Sequence, residues 1–189
     1  NIGPLTDWML LGSGDAVDER LVQPRVEPEI GLRLKTALDA RHAPVDRQSV
    51  AAAVEGAYAC LEVVHSTWTG YRFNLEQNTA DNSSAGQVVV GPRLPVTDLM
   101  ALDTVAVRLH DGCRTLGQGV GADADGHPLD AVARLARELA AFDQRLEAGD
   151  LVITGGLTAA CALEVGARLS AVFACGDAEA QAVAVRRRA

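Results

Sequence analysis

Apolar and polar residues alternate with period two over several stretches of this chain and with a helical period over one. Ile30, Leu32 and Leu34 alternate with Gly31, Arg33 and Lys35, which predicts a half-buried strand over residues 29–35. Residues 19–26 predict a strand just before it. Residues 59–66 form a nearly continuous apolar run, the pattern of a strand covered on both faces, broken only by Glu62 and His65. Further strands are expected at 87–91, 104–110, 167–175 and 179–186. The helical period is clearest over residues 128–146, where Leu129, Val132, Leu135, Ala136, Leu139 and Phe142 form one stripe and Pro128 opens the helix. Shorter helices are expected at 49–58, with Asp46 or Ser49 as cap, and at 96–102. Residues 1–18, 36–46 and 79–86 carry turn chemistry. Strands predominate and no β-α-β alternation occurs, so the expected class is a β-rich α+β fold with a few short helices and one long helix.

Composition narrows the function classes. A chain of 189 residues suits a single domain over 1–189 with a real core, and with aromatics at 4% that core must be built from Ala, Val and Leu. The net charge of −8 argues against a nucleic-acid partner, and the one dense basic run is Arg186–Arg188. No apolar run is long enough to span a membrane. The four cysteines are widely spaced with no C-x-x-C, which suggests a reduced, cytoplasmic setting. The chain opens at Asn1 in mid-phrase, so an upstream segment is expected.

Candidate chemistry centres on residues 23–30. Pro24 and Pro28 favour extended backbone around Glu27 and Glu29. In an extended chain these two carboxylates project to the same side, roughly 6–7 Å apart at Cα. Like charges held together repel, and a hard cation is one way to stabilise them. The plain alternative is a solvated acidic edge. Glu62 lies in an apolar strand, where an unpartnered carboxylate is costly. It is either a third oxygen ligand or the ion-pair partner of Arg25 or Arg72. Gly117–Ala122 loosely matches a dinucleotide-binding pattern, but without a βαβ setting it reads better as a flexible loop able to fold over a site. The four histidines lack metal-ligand spacing; His127, before Pro128, is either a helix cap or a group facing an anion at the helix start.

Five segments together resemble the fumarylacetoacetate hydrolase superfamily, specifically its hydratase/decarboxylase branch. They are residues 22–30, 61–66, 80–84, 126–129 with the following helix, and 148–158, in family order and spacing. The resemblance implies a mixed β-roll with a site in its mouth. It implies Mg2+ or Mn2+ held by Glu27, Glu29 and Glu62, and a small 2-oxo or 2-hydroxy dienoic acid as substrate. The implied reaction is hydration or decarboxylation through an enolate. Alternatives are a non-catalytic companion of an active paralogue and a C–C hydrolase of the acylpyruvate type. Second-tier site candidates are Gln23, Arg25, Gly155 and Thr158 for substrate, and His65, Asp81 and Ser83 for catalysis, with His127 as another acid/base option. The expected partners are the small-molecule acid and, in a homo-oligomer or a hetero-complex, a related subunit.

Several positions depart from the family pattern. The family's catalytic lysine lies upstream of this stretch, and Lys35, the sole lysine, sits about 20 Å along the strand from Glu29. Asn1 stands where the family often has an acid–base aspartate, and His65-Ser66-Thr67 where it commonly has Asp-Ser-Arg. Ala85 replaces the second of paired serines, and Arg134 replaces a tryptophan of the long helix.

Overall fold

A computed structural model describes the backbone of residues 2–187 and the side chains of residues 2–178. Asn1 and the end of the Arg186–Arg188 run lie outside the described residues. The chain forms β1 (Leu10–Gly12), β2 (Ala16–Val17) and β3 (Arg25–Leu34). Next come α1 (Arg47–Ala53), β4 (Val54–Val64), α2 (Leu75–Ala80) and β5 (Ala85–Arg93). They are followed by β6 (Ala106–Asp111), β7 (Arg114–Val120) and α3 (Pro128–Ala140). The remaining strands are β8 (Leu151–Ile153), β9 (Cys161–Ala162), β10 (Arg168–Cys175) and β11 (Ala178–Arg187). One sheet has the order β1-β5-β4-β3-β8, with β9 also on β3; the other has the order β2-β11-β10-β6-β7. The β1–β5 and β2–β11 pairs are parallel and the other described pairs antiparallel, so the fold is mixed, β-rich α+β.

The period-two pattern of β3 decides which way the site faces. Ile30, Leu32 and Leu34 are buried in the core with Leu61, Val63, Leu109, Leu169 and Phe173. Burying each such side chain contributes about 1.5–3 kcal/mol. Alternation then puts Arg25, Glu27, Glu29, Gly31 and Arg33 together on the opposite face.

β3 runs unbroken through Pro28, where two strands were expected from the sequence. On one side it pairs with β4 along its whole length. On the other, β9 pairs residues 25–26 and β8 pairs residues 31–33, which leaves a gap between them. The Pro28 carbonyl accepts from Leu157 N–H at 2.9 Å on that gapped side. In an antiparallel strand the N and O of one residue face the same side, so the missing proline donor falls where no strand needs it.

Other elements depart from expectation for tertiary reasons. The 49–58 helix is confined to α1, capped by Asp46, and the chain passes directly into β4, whose pairing with β3 takes over from Val54. The long helix stops at Ala140; Phe142 is 77% exposed, and Leu146 is instead buried in a bridge to Leu38. The 1–18 loop contributes β1 and β2, and the 79–86 turn is divided among α2, a 3-10 turn (Asn82–Ser84) and β5. The glycine-rich segment is not a loop over a site. It is β7 and a 3-10 turn, with Gly119 and Gly121 so tightly packed that an added Cβ would meet Leu157 O or Leu102 O at 1.8 Å. Among the described residues no helix is long and apolar enough to cross a membrane.

Candidate metal centre

Glu27 lies directly opposite Glu62 in the β3–β4 register, and Glu29 lies opposite Cys60. One carboxylate oxygen from each of Glu27, Glu29 and Glu62 falls within 4.8 Å of the others. Cross-strand pairing brings two acids side by side, and the two-residue repeat of β3 adds the third. The backbone after β8 completes the surround. Gly155 N–H donates to Glu29 Oε2 at 2.8 Å. Gly156 lies against Glu27, and a Cβ there would stand 2.6 Å from Oε2, so a glycine is what leaves the carboxylate its place.

The electrostatics fit a hard cation. Glu29 is 1% exposed. Its carboxyl is pushed well above the ordinary range, first by burial and then by the charge of Glu62. Glu62 is pushed up to about 7 by burial and by Glu27, opposed by a hydrogen bond with Glu29. Glu27 is raised by burial and partly relieved by Arg25. Among the described residues no ion pair joins a cationic side chain to any of the three. The alternative in which Arg25 or Arg72 neutralises Glu62 is therefore not what the structure adopts. Three converging carboxylates without a protein counter-ion match the oxygen donor set of Mg2+. Binding such an ion would release the protons these groups otherwise retain.

The three acids open into a cleft of about 850 Å³. Residues 2–7 form one wall and α3 the other, with Ala131, Arg134, Leu135, Glu138 and Leu139 facing inward. Leu151–Gly156 form part of the floor. Ser83 and Gly155 also line this cleft, whereas His65, Asp81, Gln23, Arg25 and Thr158 do not.

Each of the latter has another engagement. Gln23 clamps the 66–70 segment: its Nε2 donates to the Ser66 and Trp68 carbonyls at 3.0 Å, and its Oε1 accepts from Gly70 N–H. The Arg25 guanidinium lies 4.0 Å from the Tyr71 ring centroid, and the Tyr71 hydroxyl donates to Gln23 O and Val64 O. Asp81 accepts from Thr67 Oγ1 at 3.4 Å. Thr158 donates to Ala159 O and packs against Gly117. His65 Nδ1 is buried with no hydrogen-bond partner, and its ring packs beside Gly86. His127 is fully buried; its Nδ1 accepts from Leu129 N–H and its Nε2 faces Met100 O at 3.2 Å. These contacts select the cap role and an Nε2–H tautomer over a group facing a ligand.

Ser83 reaches the cleft through an unusual turn. Asn82, Ser83 and Ser84 have φ of 49°, 57° and 63°. Non-glycine residues pay roughly 1 kcal/mol or more each for this left-handed region. Side-chain bonds hold the turn: Asn82 Nδ2 to Pro4 O, Ser83 Oγ to Ile2 O, and Ser84 Oγ to Asn78 Oδ1. The same contacts attach residues 2–4 to the cleft wall. Sequence reasoning missed the cleft residues Asp7 and Arg33. The signal for Arg33 was present in the β3 alternation, but its face reads as solvent until α3 and the N-terminal segment cover it.

Comparison with known proteins agrees with this architecture. The chain is 33% identical over 176 residues to 2-hydroxyhexa-2,4-dienoate hydratase of Comamonas testosteroni, covering 92% of this chain and 66% of that protein. It is 33% identical over 165 residues to 4-oxalocrotonate decarboxylase of Pseudomonas putida, covering 87% and 62%. It thus spans about two thirds of the length of these relatives. The solved structure of 4-oxalocrotonate decarboxylase from Pseudomonas putida G7, complexed with magnesium and adipate, superposes with a TM-score of 0.89 at 29% identity, over 98% of this chain and 68% of that one. The sequence pattern of the fumarylacetoacetate hydrolase C-terminal domain matches residues 9–183, and the chain belongs to that family.

Proposed function

We propose that the protein is a divalent-metal-dependent lyase, a hydratase or decarboxylase, acting on a small 2-hydroxy dienoic or 2-oxo acid. The observation that carries this reading is the convergence of Glu27, Glu29 and Glu62 within 4.8 Å in a cleft, with no ion pair to any of them among the described residues. The named activities of the relatives support the substrate class. The magnesium complex of the similar decarboxylase supports Mg2+, with Mn2+ as the second candidate. When bound, such an ion supplies Lewis-acid polarisation of the acid's oxygens.

The chain's own residues supply the rest. Glu27, Glu29 and Glu62 would hold the ion, and Gly155 N–H fixes the Glu29 carboxylate in its orientation. Leu135, Leu139, Leu151 and Ile153 line the cleft and would exclude water from the carbon chain of the acid. Among the described residues the titratable groups lining the cleft, apart from the arginines, are carboxyls. Asp123 already accepts from Val120 N–H, Asp125 and Glu138 pair with Arg134, and Asp150 accepts from Glu147 N–H, which leaves Asp7 at the wall as the candidate proton carrier among the described residues.

The test is depletion of 2-hydroxypenta-2,4-dienoate or 4-oxalocrotonate, followed by ultraviolet absorbance with Mg2+ or Mn2+. Turnover that Glu29→Ala abolishes is the expected result; no turnover of any 2-oxo or 2-hydroxy dienoate refutes the reading. The departures from the family pattern at His65, Thr67, Ala85 and Arg134 favour one alternative, a non-catalytic companion of a related active subunit. That alternative predicts co-purification with an active paralogue and no activity in isolation.

A further inference from the structure

We infer that Tyr71 is a positioning residue for the metal centre: its ring holds the Arg25 guanidinium off Glu27 and so keeps that carboxylate free for the ion. This rests on the metal-dependent reading above. Arg25 and Glu27 stand two residues apart on one face of β3, roughly 6–7 Å apart at Cα. An arginine side chain can pair with a carboxylate so placed. The Arg25 charge already acts on Glu27, against the effect of burial. Yet among the described residues no ion pair joins the two. The guanidinium lies instead 4.0 Å from the centroid of the Tyr71 ring.

The ring is fixed independently of Arg25. Its hydroxyl donates to Gln23 O at 3.0 Å and to Val64 O at 3.2 Å, which ties it to the chain entering β3 and to the end of β4. Gln23 in turn grips the turn that carries Tyr71, through Ser66 O, Trp68 O and Gly70 N–H. Gln23 and Tyr71 have φ of 51° and 59°. Non-glycine residues occupy this left-handed region only where their surroundings impose it. The two strained residues are joined by hydrogen bonds, and what they hold in place is the ring face against Arg25.

Arg25 therefore has two competing places. Beside Glu27 it would form a charge-assisted pair that a divalent ion must displace, and in a half-buried setting such a pair is stronger than at an open surface. Against the ring it meets the negative π face, and a bound divalent cation favours that place further, because like charges repel. Removing the ring shifts Arg25 toward Glu27. Metal affinity then falls by the weight of the lost cation–π contact, roughly 3- to 30-fold.

The experiment is calorimetric titration of Mg2+ into the full chain, across a double-mutant cycle of Tyr71→Leu and Arg25→Gln. Tyr71→Leu alone should weaken Mg2+ binding by that factor. With Arg25→Gln already in place, Tyr71→Leu should change affinity by less than about twofold, since no guanidinium remains to reach Glu27. Tyr71→Phe keeps a ring for the guanidinium and should stay within about twofold of the wild type. A merely structural role for the ring would weaken Mg2+ equally with and without Arg25, and that result overturns the inference. So does unchanged affinity in Tyr71→Leu, or a loss in Tyr71→Phe as large as in Tyr71→Leu. Each of these leaves the metal reading intact, whereas a wild type that binds no Mg2+ overturns both.

Discussion

Raising the pH from 5 to 8 without divalent metal will destabilise this protein, and the cause is the carboxylate cluster. Glu62 is pushed from its ordinary value of 4.5 to about 7 by burial and by the charge of Glu27. Its folded pKa therefore lies above its unfolded one. The native state keeps a proton that the unfolded chain has already lost, so this contribution is fully present below pH 4.5 and is lost as pH rises through 7. A shift of this size corresponds to about 3 kcal/mol. For a domain of this length that is roughly 6–12 °C in melting temperature. Glu29 and Glu27 are raised too and act in the same direction. The exposed Asp18 and Asp39 are lowered by their arginine partners and act below this window with the opposite sign. Excess Mg2+ replaces the protons and should recover the loss, by about 2.7 kcal/mol at a hundredfold excess over Kd. The assay is thermal melting in EDTA and in Mg2+ across pH 5–8, with Glu62→Gln as the comparison. That variant should show a shallower slope in EDTA and a reduced response to Mg2+. A melting temperature in EDTA that stays flat or rises with pH would refute the reasoning.

Three further outcomes follow from packing. Gly156→Ala places a Cβ 2.6 Å from Glu27 Oε2 and should weaken Mg2+ binding by about tenfold or more, measured calorimetrically, with little loss in melting temperature. Gly119→Ala drives a Cβ to 1.8 Å from the Leu157 carbonyl, a backbone atom that cannot swing aside, and should cost about 3 kcal/mol or more in urea unfolding. His127→Ala removes a buried ring and the α3 cap, and should cost roughly 2–4 kcal/mol while Mg2+ affinity stays near wild type. Loss of Mg2+ affinity in this last variant would show that His127 takes part in the site.

How much of this was legible beforehand varies by element. The three acids could be selected from the sequence because two obey the strand repeat and the third breaks an apolar run. The even positions of β3 declared themselves as core for the same reason. His65, Asp81, Gln23, Arg25 and Thr158 were drawn in by proximity along the chain to these acids or by the family pattern; none lines the cleft, although Arg25 shares the acids' face of β3 and its charge acts on Glu27. Side-chain direction depends on local bulges and turns, such as the register shift at Val63/Val64 just before His65, which no repeat encodes.

The sequence by itself determined the fold class, the inner face of β3 and the residues able to form a cation site, because each follows from local periodicity and the cost of burying charge. The tertiary structure alone decided that Pro28 could sit within a strand, since only the gap between β8 and β9 removes the need for its missing donor. It likewise decided that the glycines at 119 and 121 serve close backbone packing and that His127 caps α3. Arg33 gained its place in the cleft in the same way: its neighbours on β3 fix only the face it occupies, whereas residues distant in the chain decide whether that face meets solvent or encloses a site.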